Sequence, residues 1–168
     1  MSRLDELHAK VDAFFARVEA RHGDDMQCRT GCSDCCHVRL TVTGAEAAGI
    51  RALVTAWPTE RRRALAEAGS PAACAALDAA GRCRIYAARP IVCRSHGVPI
   101  RMSRASRASG ALPVIEACSR NFTRTEPAPD CILDQETLSM LTLVLDREAG
   151  GDGARVDLAA LLAELAAT

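Results

Sequence analysis

Four cysteines within nine residues constrain this chain more than any other feature. Their pattern is Cys28-x3-Cys32-x2-Cys35-Cys36, and the residues between them are Arg, Thr, Gly, Ser and Asp. Because no apolar periodicity accounts for these cysteines, burial as small core residues explains them poorly. Close spacing lets several thiolates reach one metal ion with little loss of chain entropy. The segment therefore predicts a metal-binding loop.

The other five of the nine cysteines lie downstream, separated by eight or more residues: Cys74, Cys83, Cys93, Cys118 and Cys131. The N-terminal MSRLDELHAK carries charges where a secretory signal needs an apolar run. We therefore expect a reducing cytoplasm, where cysteines more often bind metal than form a disulfide framework. Apolar residues follow Cys131, which makes it the candidate for the cysteine that binds no metal.

Composition sets the class of protein. The chain has 168 residues, 49% of them apolar and 25% charged, which predicts one globular domain over residues 1–168. The 21 basic and 21 acidic residues balance, so the chain lacks the positive surface that nucleic-acid binding requires. No run of about 18 apolar residues is present, so we expect no membrane span.

Local signals predict a mainly helical fold with a small irregular or β-hairpin middle. A helix over 2–22 begins with a capping box at Ser2 and Asp5, and its apolar stripe covers a core or, alternatively, a dimer seam. Further helices are predicted over 44–56, 60–68, 134–147 and 157–167, and short strands over 38–43, 98–103 and 111–117. The cysteine-bearing core thus spans 28–120, between the N-terminal helix and C-terminal helices over 134–167.

The second cysteine group lies in GRCRIYAARPIVCR, residues 81–94. Together with Cys28–Cys36, the CAAL at Cys74 and the EAC at Cys118, it resembles the YkgJ-type cysteine-cluster family. Members carry Cys-x2/3-Cys-x2-Cys-Cys and, after a further cysteine, G-x-C-x-I-Y-x-x-R-P-x-x-C-R. The resemblance covers about residues 28–120 and departs from many members at His96-Gly97, where they have an aromatic residue.

The resemblance implies a chelating domain for zinc or iron, with iron held as an ion or as a [4Fe–4S] cluster. It implies eight metal-ligating cysteines: Cys28, Cys32, Cys35, Cys36, Cys74, Cys83, Cys93 and Cys118. Four thiolates leave a net charge of about −2 on Zn²⁺ or on the cluster, which nearby arginines can balance. Arg89 and Arg94 occupy motif positions and are the candidates, whereas Arg82 and Arg84 are equally well explained as solvated residues.

The distribution of ligands stays open at this level. We expect one composite site in which both cysteine groups meet, and two four-cysteine sites are the alternative. Neighbouring residues of an extended chain point to opposite sides, so Cys35 and Cys36 are not expected to hold one ion together. His37 and His96 are further candidate ligands. Ile85 and Tyr86 are expected in the core, and Pro90 is expected to fix the approach to Cys93.

A binding module explains the sequence better than an enzyme, because no general base, nucleophile pair or phosphate-binding loop is evident. A related domain in a flagellin lysine methylase keeps a second hypothesis open, an iron–sulfur enzyme or accessory subunit that acts on a protein partner. A thiol redox sensor is a third. The Cys-x3-Cys-x2-Cys spacing also matches radical S-adenosylmethionine enzymes, but Asp34 replaces their usual aromatic residue and the chain lacks their repeated βα pattern.

Overall fold

The computed structural model describes residues 2–66, 73–102 and 114–168. Its helices are α1 Arg3–His22, α2 Gly44–Thr55, α3 Thr59–Arg63, α4 Ile91–Ser95, α5 Gln135–Glu148 and α6 Leu158–Ala167. Its strands are β1 Thr41–Val42, β2 Ile100–Arg101, β3 Ile115–Glu116, β4 Leu133–Asp134 and β5 Val156–Asp157. This mainly helical architecture with little strand confirms the predicted fold class.

The chain groups into two compact units, each assembled from two stretches of sequence. Unit 1 comprises Met1–Cys28 and Ile91–Val144, and unit 2 comprises Arg29–Pro90 and Leu145–Thr168. The cysteines are shared between them. Unit 1 contains Cys28, Cys93, Cys118 and Cys131, and unit 2 contains Cys32, Cys35, Cys36, Cys74 and Cys83.

Unit 1 is organised around α1, which packs against α4. The α1 stripe contributes Val18 to an apolar cluster with Met26, Val98 and Cys131, all at most 5% exposed. Beside it, β2 pairs antiparallel with β3 and parallel with β4. The predicted hairpin is thus confirmed at β2 and β3, while its loop, residues 103–113, lies outside the described residues.

Unit 2 packs α2 and α3 against α6. Ile50 and Val54 of α2 are fully buried, and they join Leu161 and Leu162 of α6 in one apolar cluster. The antiparallel pair of β1 and β5 brings the start of α2 and the start of α6 together within the unit. Cys74 and Cys83 pack against the edge of this cluster, so the core of unit 2 supports two candidate metal ligands.

Capping residues in the sequence predicted the N-termini of most helices correctly. The reciprocal hydrogen bonds of a capping box are present at Ser2 with Asp5 and at Thr43 with Glu46. Asp134 and Asp157 each accept a backbone hydrogen bond at the start of the helix that follows, at 2.9 Å. A short polar side chain that caps one turn depends only on its neighbours, which is why these ends follow from sequence.

One helix prediction needs correction. The helix predicted to begin at Glu60, with Thr59 as its cap, begins at Thr59 itself and ends at Arg63, with Pro58 as the cap residue. The predicted end of this helix at residue 68 lies outside the described residues. On α5, the apolar residues Leu141 and Val144 are 45% and 49% exposed. The buried residues of this helix are Leu138, Thr142 and Asp146, so its buried face is partly polar.

None of the described helices combines the length and the apolar character that a membrane span requires.

Candidate metal centre

A 3-10 turn over Asp34–Cys36 presents the doubled cysteine of unit 2. The Cys35 thiol donates a hydrogen bond to the Cys36 sulfur, and this bond raises the pKa of Cys35 well above its ordinary value. The expectation that these side chains point to opposite sides is therefore wrong. It assumed an extended chain, whereas a 3-10 turn rotates successive side chains by about a third of a turn.

Cys74 is held against this turn by the backbone. Its N–H donates to the carbonyl oxygen of Cys36 at 2.6 Å, and its thiol interacts electrostatically with that of Cys35. Burial raises the pKa of the Cys74 thiol. The first and second cysteine groups of the sequence thus meet within unit 2, at least through these three residues.

A tight turn then returns the chain from Cys74 to Cys83. The Asp78 carboxylate accepts hydrogen bonds from the backbone N–H groups of Ala80 and Arg82, at 2.9 and 2.8 Å. Gly81 completes the turn with a φ of +74°, a conformation that favours glycine. Cys83 follows this turn and forms an isolated antiparallel β-bridge with Leu77. Its thiol interacts electrostatically with that of Cys74.

Two effects on the pKa of the Cys83 thiol act in opposite directions. Burial raises the pKa of this thiol, and the charge of Arg89 acts in the other direction. The Arg89 guanidinium lies 4.0 Å from the centre of the Tyr86 ring. Tyr86 itself is 62% exposed, which corrects its expected place in the core, while its neighbour Ile85 is buried as predicted. Arg89 is therefore placed where it can balance negative charge on this thiolate.

In unit 1, Cys28 lies in a pocket formed by Gly97 and Asn121. The Asn121 side-chain N–H donates to the Cys28 sulfur at 3.2 Å and to the carbonyl oxygen of Gly97 at 2.7 Å. Its oxygen accepts from the backbone of Gln27 at 2.7 Å, so this buried amide is satisfied on both sides. A Cβ at Gly97, whose φ is +105°, would stand 2.6 Å from the Cys28 sulfur.

Asn121 is a candidate site residue that was not predicted from the sequence. The sequence feature that could have indicated it is the NFT segment, which begins with Asn121 three residues after Cys118. The backbone N–H of Asn121 donates to the carbonyl oxygen of Cys118 at 2.8 Å. The next residue, Phe122, adopts a φ of +55°, which is rare outside glycine and is held by a hydrogen bond to the carbonyl oxygen of Asp25. This kink fixes the position of Asn121 next to Cys28.

The remaining candidates of unit 1 lie in different surroundings. Cys93 is half-buried on α4, and Cys118 is half-buried before the Asn121 kink. Arg94, predicted to balance the charge of the centre, is 7% exposed and forms an ion pair with Asp12 at 2.5 Å. Cys131 is fully buried in the apolar cluster, as expected of a cysteine that acts as a small core residue.

His37 and His96 are both exposed, and Cys32 is half-buried on a turn closed by its own N–H and the carbonyl oxygen of Arg29, at 2.9 Å. Among residues 2–66, 73–102 and 114–168, no three His, Cys, Asp or Glu side chains already form a set that could hold a metal ion. The donor chemistry nevertheless fits zinc and iron, which bind thiolates strongly. The Cys36 hydrogen bond raises the pKa of Cys35, and burial raises the pKa of Cys74 and Cys83, so a metal that binds these three thiols must displace their protons.

Comparison with known proteins supports a chelating role. A family model matches residues 27–110, half of the chain, and the family is described as a "Putative zinc- or iron-chelating domain". The matched segment includes seven of the eight cysteines predicted as ligands and leaves out Cys118. No curated protein and no solved structure matched the chain.

Proposed function

Because this chain belongs to the CxxCxxCC family of zinc- or iron-chelating domains, we propose that it is a metal-binding module whose cysteine thiolates hold zinc or iron. Soft thiolate ligands suit both metals, and four of them close a tetrahedral site without an open position for a substrate. Such a site stabilises the fold and carries no reaction by itself.

The observation that carries this proposal is the linked series of thiols in unit 2. Cys35 is hydrogen-bonded to Cys36. The Cys35 thiol interacts electrostatically with that of Cys74, and the Cys74 thiol interacts in the same way with that of Cys83. These four residues come from both cysteine groups of the sequence, and each lies on a turn fixed by backbone hydrogen bonds. They are the proposed primary ligands, with Arg89 as the cation that balances their charge.

Cys28, Cys93 and Cys118 of unit 1 are proposed as a second set of ligands, and Cys32 of unit 2 is a further candidate that belongs to neither set. Asn121 supports this second set because an N–H donor aimed at a thiolate sulfur stabilises its negative charge and fixes its orientation. A separate set of ligands in each unit is closer to the two-site alternative than to one composite site, although unit 1 supplies three cysteines rather than four.

The decisive experiment is metal and acid-labile sulfide analysis of the protein purified without oxygen, with its absorption spectrum. One or two zinc ions per chain and no sulfide would establish a chelating module. Brown protein with about four iron and four sulfide per chain would establish a [4Fe–4S] cluster and would favour the iron–sulfur alternatives. Protein without any tightly bound metal, even after anaerobic reconstitution, would refute the proposal.

Substitutions assign the ligands. We expect Cys83→Ser and Cys36→Ser each to lose metal, because a serine hydroxyl binds zinc and iron much more weakly than a cysteine thiolate does. The matched control is Cys131→Ala, which removes a buried thiol from the apolar cluster and is expected to cost stability but to leave the metal content unchanged. Equal metal content in all three variants would contradict the ligand assignment.

A further inference from the structure

A cleft of about 390 Å³ opens in unit 2 next to Cys83. Three guanidinium groups, one carboxylate and one indole ring line it: Arg61, Arg82, Arg84, Asp78 and Trp57. The chain as a whole carries no net charge. Three positive groups against one negative group give these side chains an excess of positive charge, which a thiolate centre at Cys83 would offset in part. Concave walls strengthen the field of such groups.

Described neighbours orient the three arginines of the cleft but occupy only some of their N–H donors. The Arg61 guanidinium carbon lies 3.9 Å from the centre of the Trp57 ring, which occupies its face but not its N–H edge. Arg82 donates through Nε to Asp78 at 3.1 Å, and Arg84 donates through one Nη to the carbonyl oxygen of Ala64. Since a guanidinium has five N–H donors, the contacts with described residues leave donors on each of these arginines for a ligand.

We propose that this cleft binds a small oxyanion, a di- or tricarboxylate or a phosphate, through Arg61, Arg82 and Arg84. Guanidinium groups match the planar pairs of oxygens on such anions and bind them through paired, charge-assisted hydrogen bonds. The volume suits a small molecule, because it lies in the lower part of the range for ligand pockets.

Cys83 lines the same cleft, so a bound anion lies beside a proposed metal ligand. In this respect the inference rests on the proposed function, because it places the anion next to the metal centre only if Cys83 holds metal. Binding of the anion itself depends on the arginines alone.

Trp57 provides the measurement, because it is the only tryptophan of the chain and Arg61 stacks on it. Citrate and inorganic phosphate are titrated separately into the metal-loaded protein, with tryptophan fluorescence and calorimetry as readouts. We expect saturable binding of at least one of them, weakened at higher ionic strength. Binding of citrate alone identifies carboxylates, and binding of phosphate alone identifies phosphates. No saturable binding of either anion overturns the inference.

Variants locate the site. Arg84→Gln and Arg61→Gln should each weaken binding by about tenfold or more, the loss expected for one charged hydrogen-bonding group. Arg63→Gln is the matched control, because Arg63 is an exposed arginine of the same helix, α3, outside the cleft lining. An equal loss in Arg63→Gln would overturn the assignment. Arg61 is exposed, so its variant carries the test if Arg84→Gln fails to fold.

Metal content measured on the same samples separates the two proposals. Protein that holds metal but binds neither anion refutes the oxyanion cleft and leaves the metal-binding function standing. Protein that binds anion but no metal refutes the metal-binding function and leaves the cleft standing.

Discussion

Gly97 shows how one residue controls the surroundings of a candidate ligand. Its Cβ position lies 2.6 Å from the Cys28 sulfur, and its φ of +105° is unfavourable for any other residue. We expect Gly97→Ala to lower the free energy of unfolding by about 1–3 kcal/mol through backbone strain and displacement of the sulfur. Urea unfolding measures the first effect, and metal retention during dialysis against a chelator measures the second.

A substitution at Gly150 separates the effect of backbone strain from the effect of a steric contact with a cysteine. Its φ is +87°, but no neighbouring group among the described residues lies within 4 Å of the position a Cβ would take. Gly150→Ala should therefore cost stability through strain alone and retain metal like the unaltered protein. If both variants retain metal equally, the close approach of Gly97 to Cys28 has no role in holding the metal.

Asp25 is a buried carboxylate that joins two segments of unit 1, its own and the one that contains Arg124 and Thr125. It accepts hydrogen bonds from the hydroxyl and N–H of Thr125, at 2.7 and 2.8 Å, and from Arg124. The Thr125 hydroxyl bond is the first cause that lowers the pKa of Asp25 from its ordinary value of 3.8. A carboxylate with a lowered folded-state pKa stabilises the protein above its unfolded pKa, and this contribution is lost as pH falls below it.

We therefore expect Asp25→Asn to destabilise the protein at neutral pH, with a difference from the unaltered chain that shrinks as pH falls below about 4. Urea unfolding midpoints of the metal-free protein at several pH values provide the measurement. Asp24→Asn, at the neighbouring exposed position, is the control and should have little effect. A difference for Asp25→Asn that stays constant through the acid range would refute this account of Asp25.

At the scale of elements, the two capping boxes differ in burial. Ser2 at the start of α1 is exposed, whereas Thr43 at the start of α2 is 3% exposed and its partner Glu46 is 4% exposed. The Thr43 hydroxyl donates to the Glu46 carboxylate at 3.2 Å and accepts from its N–H. Removal of the hydroxyl therefore leaves a buried carboxylate with one donor fewer.

Thr43→Ala should lower the free energy of unfolding by about 1–2 kcal/mol, at the upper end for a helix cap. Ser2→Ala should cost less, because water can replace the lost hydrogen bond at an exposed helix end. Both are measured by urea unfolding. An equal or larger loss at Ser2 would show that burial of the Thr43 cap is not what matters.

For the whole molecule, metal binding and stability should rise together with pH. Burial raises the pKa of the Cys74 and Cys83 thiols, so they are protonated at neutral pH in the metal-free protein. Each thiol that binds metal then releases a proton, and zinc affinity should increase about tenfold per pH unit for each proton released. Competition with a zinc-binding dye at about pH 6 and about pH 8 measures this dependence.

Removal of metal by a chelator should lower the melting temperature, because binding free energy at a structural site is folding free energy. Cys131→Ala should show the same dependence on pH and on chelator as the unaltered protein. A melting temperature that does not change when metal is removed would argue that the metal is not structural.

The cysteine spacing, the capping residues and the helical periodicity determined the family, the mainly helical class and most helix ends, because these depend on residues close together in sequence. The tertiary structure decided the rest. It joins Cys35 to Cys36 by a hydrogen bond, and it leaves Tyr86 and the α5 residue Leu141 exposed. It also places Asn121 against Cys28, 93 residues away in sequence. Long-range contacts of this kind depend on how the turns fold back on one another, and a single sequence carries no periodic signal for them.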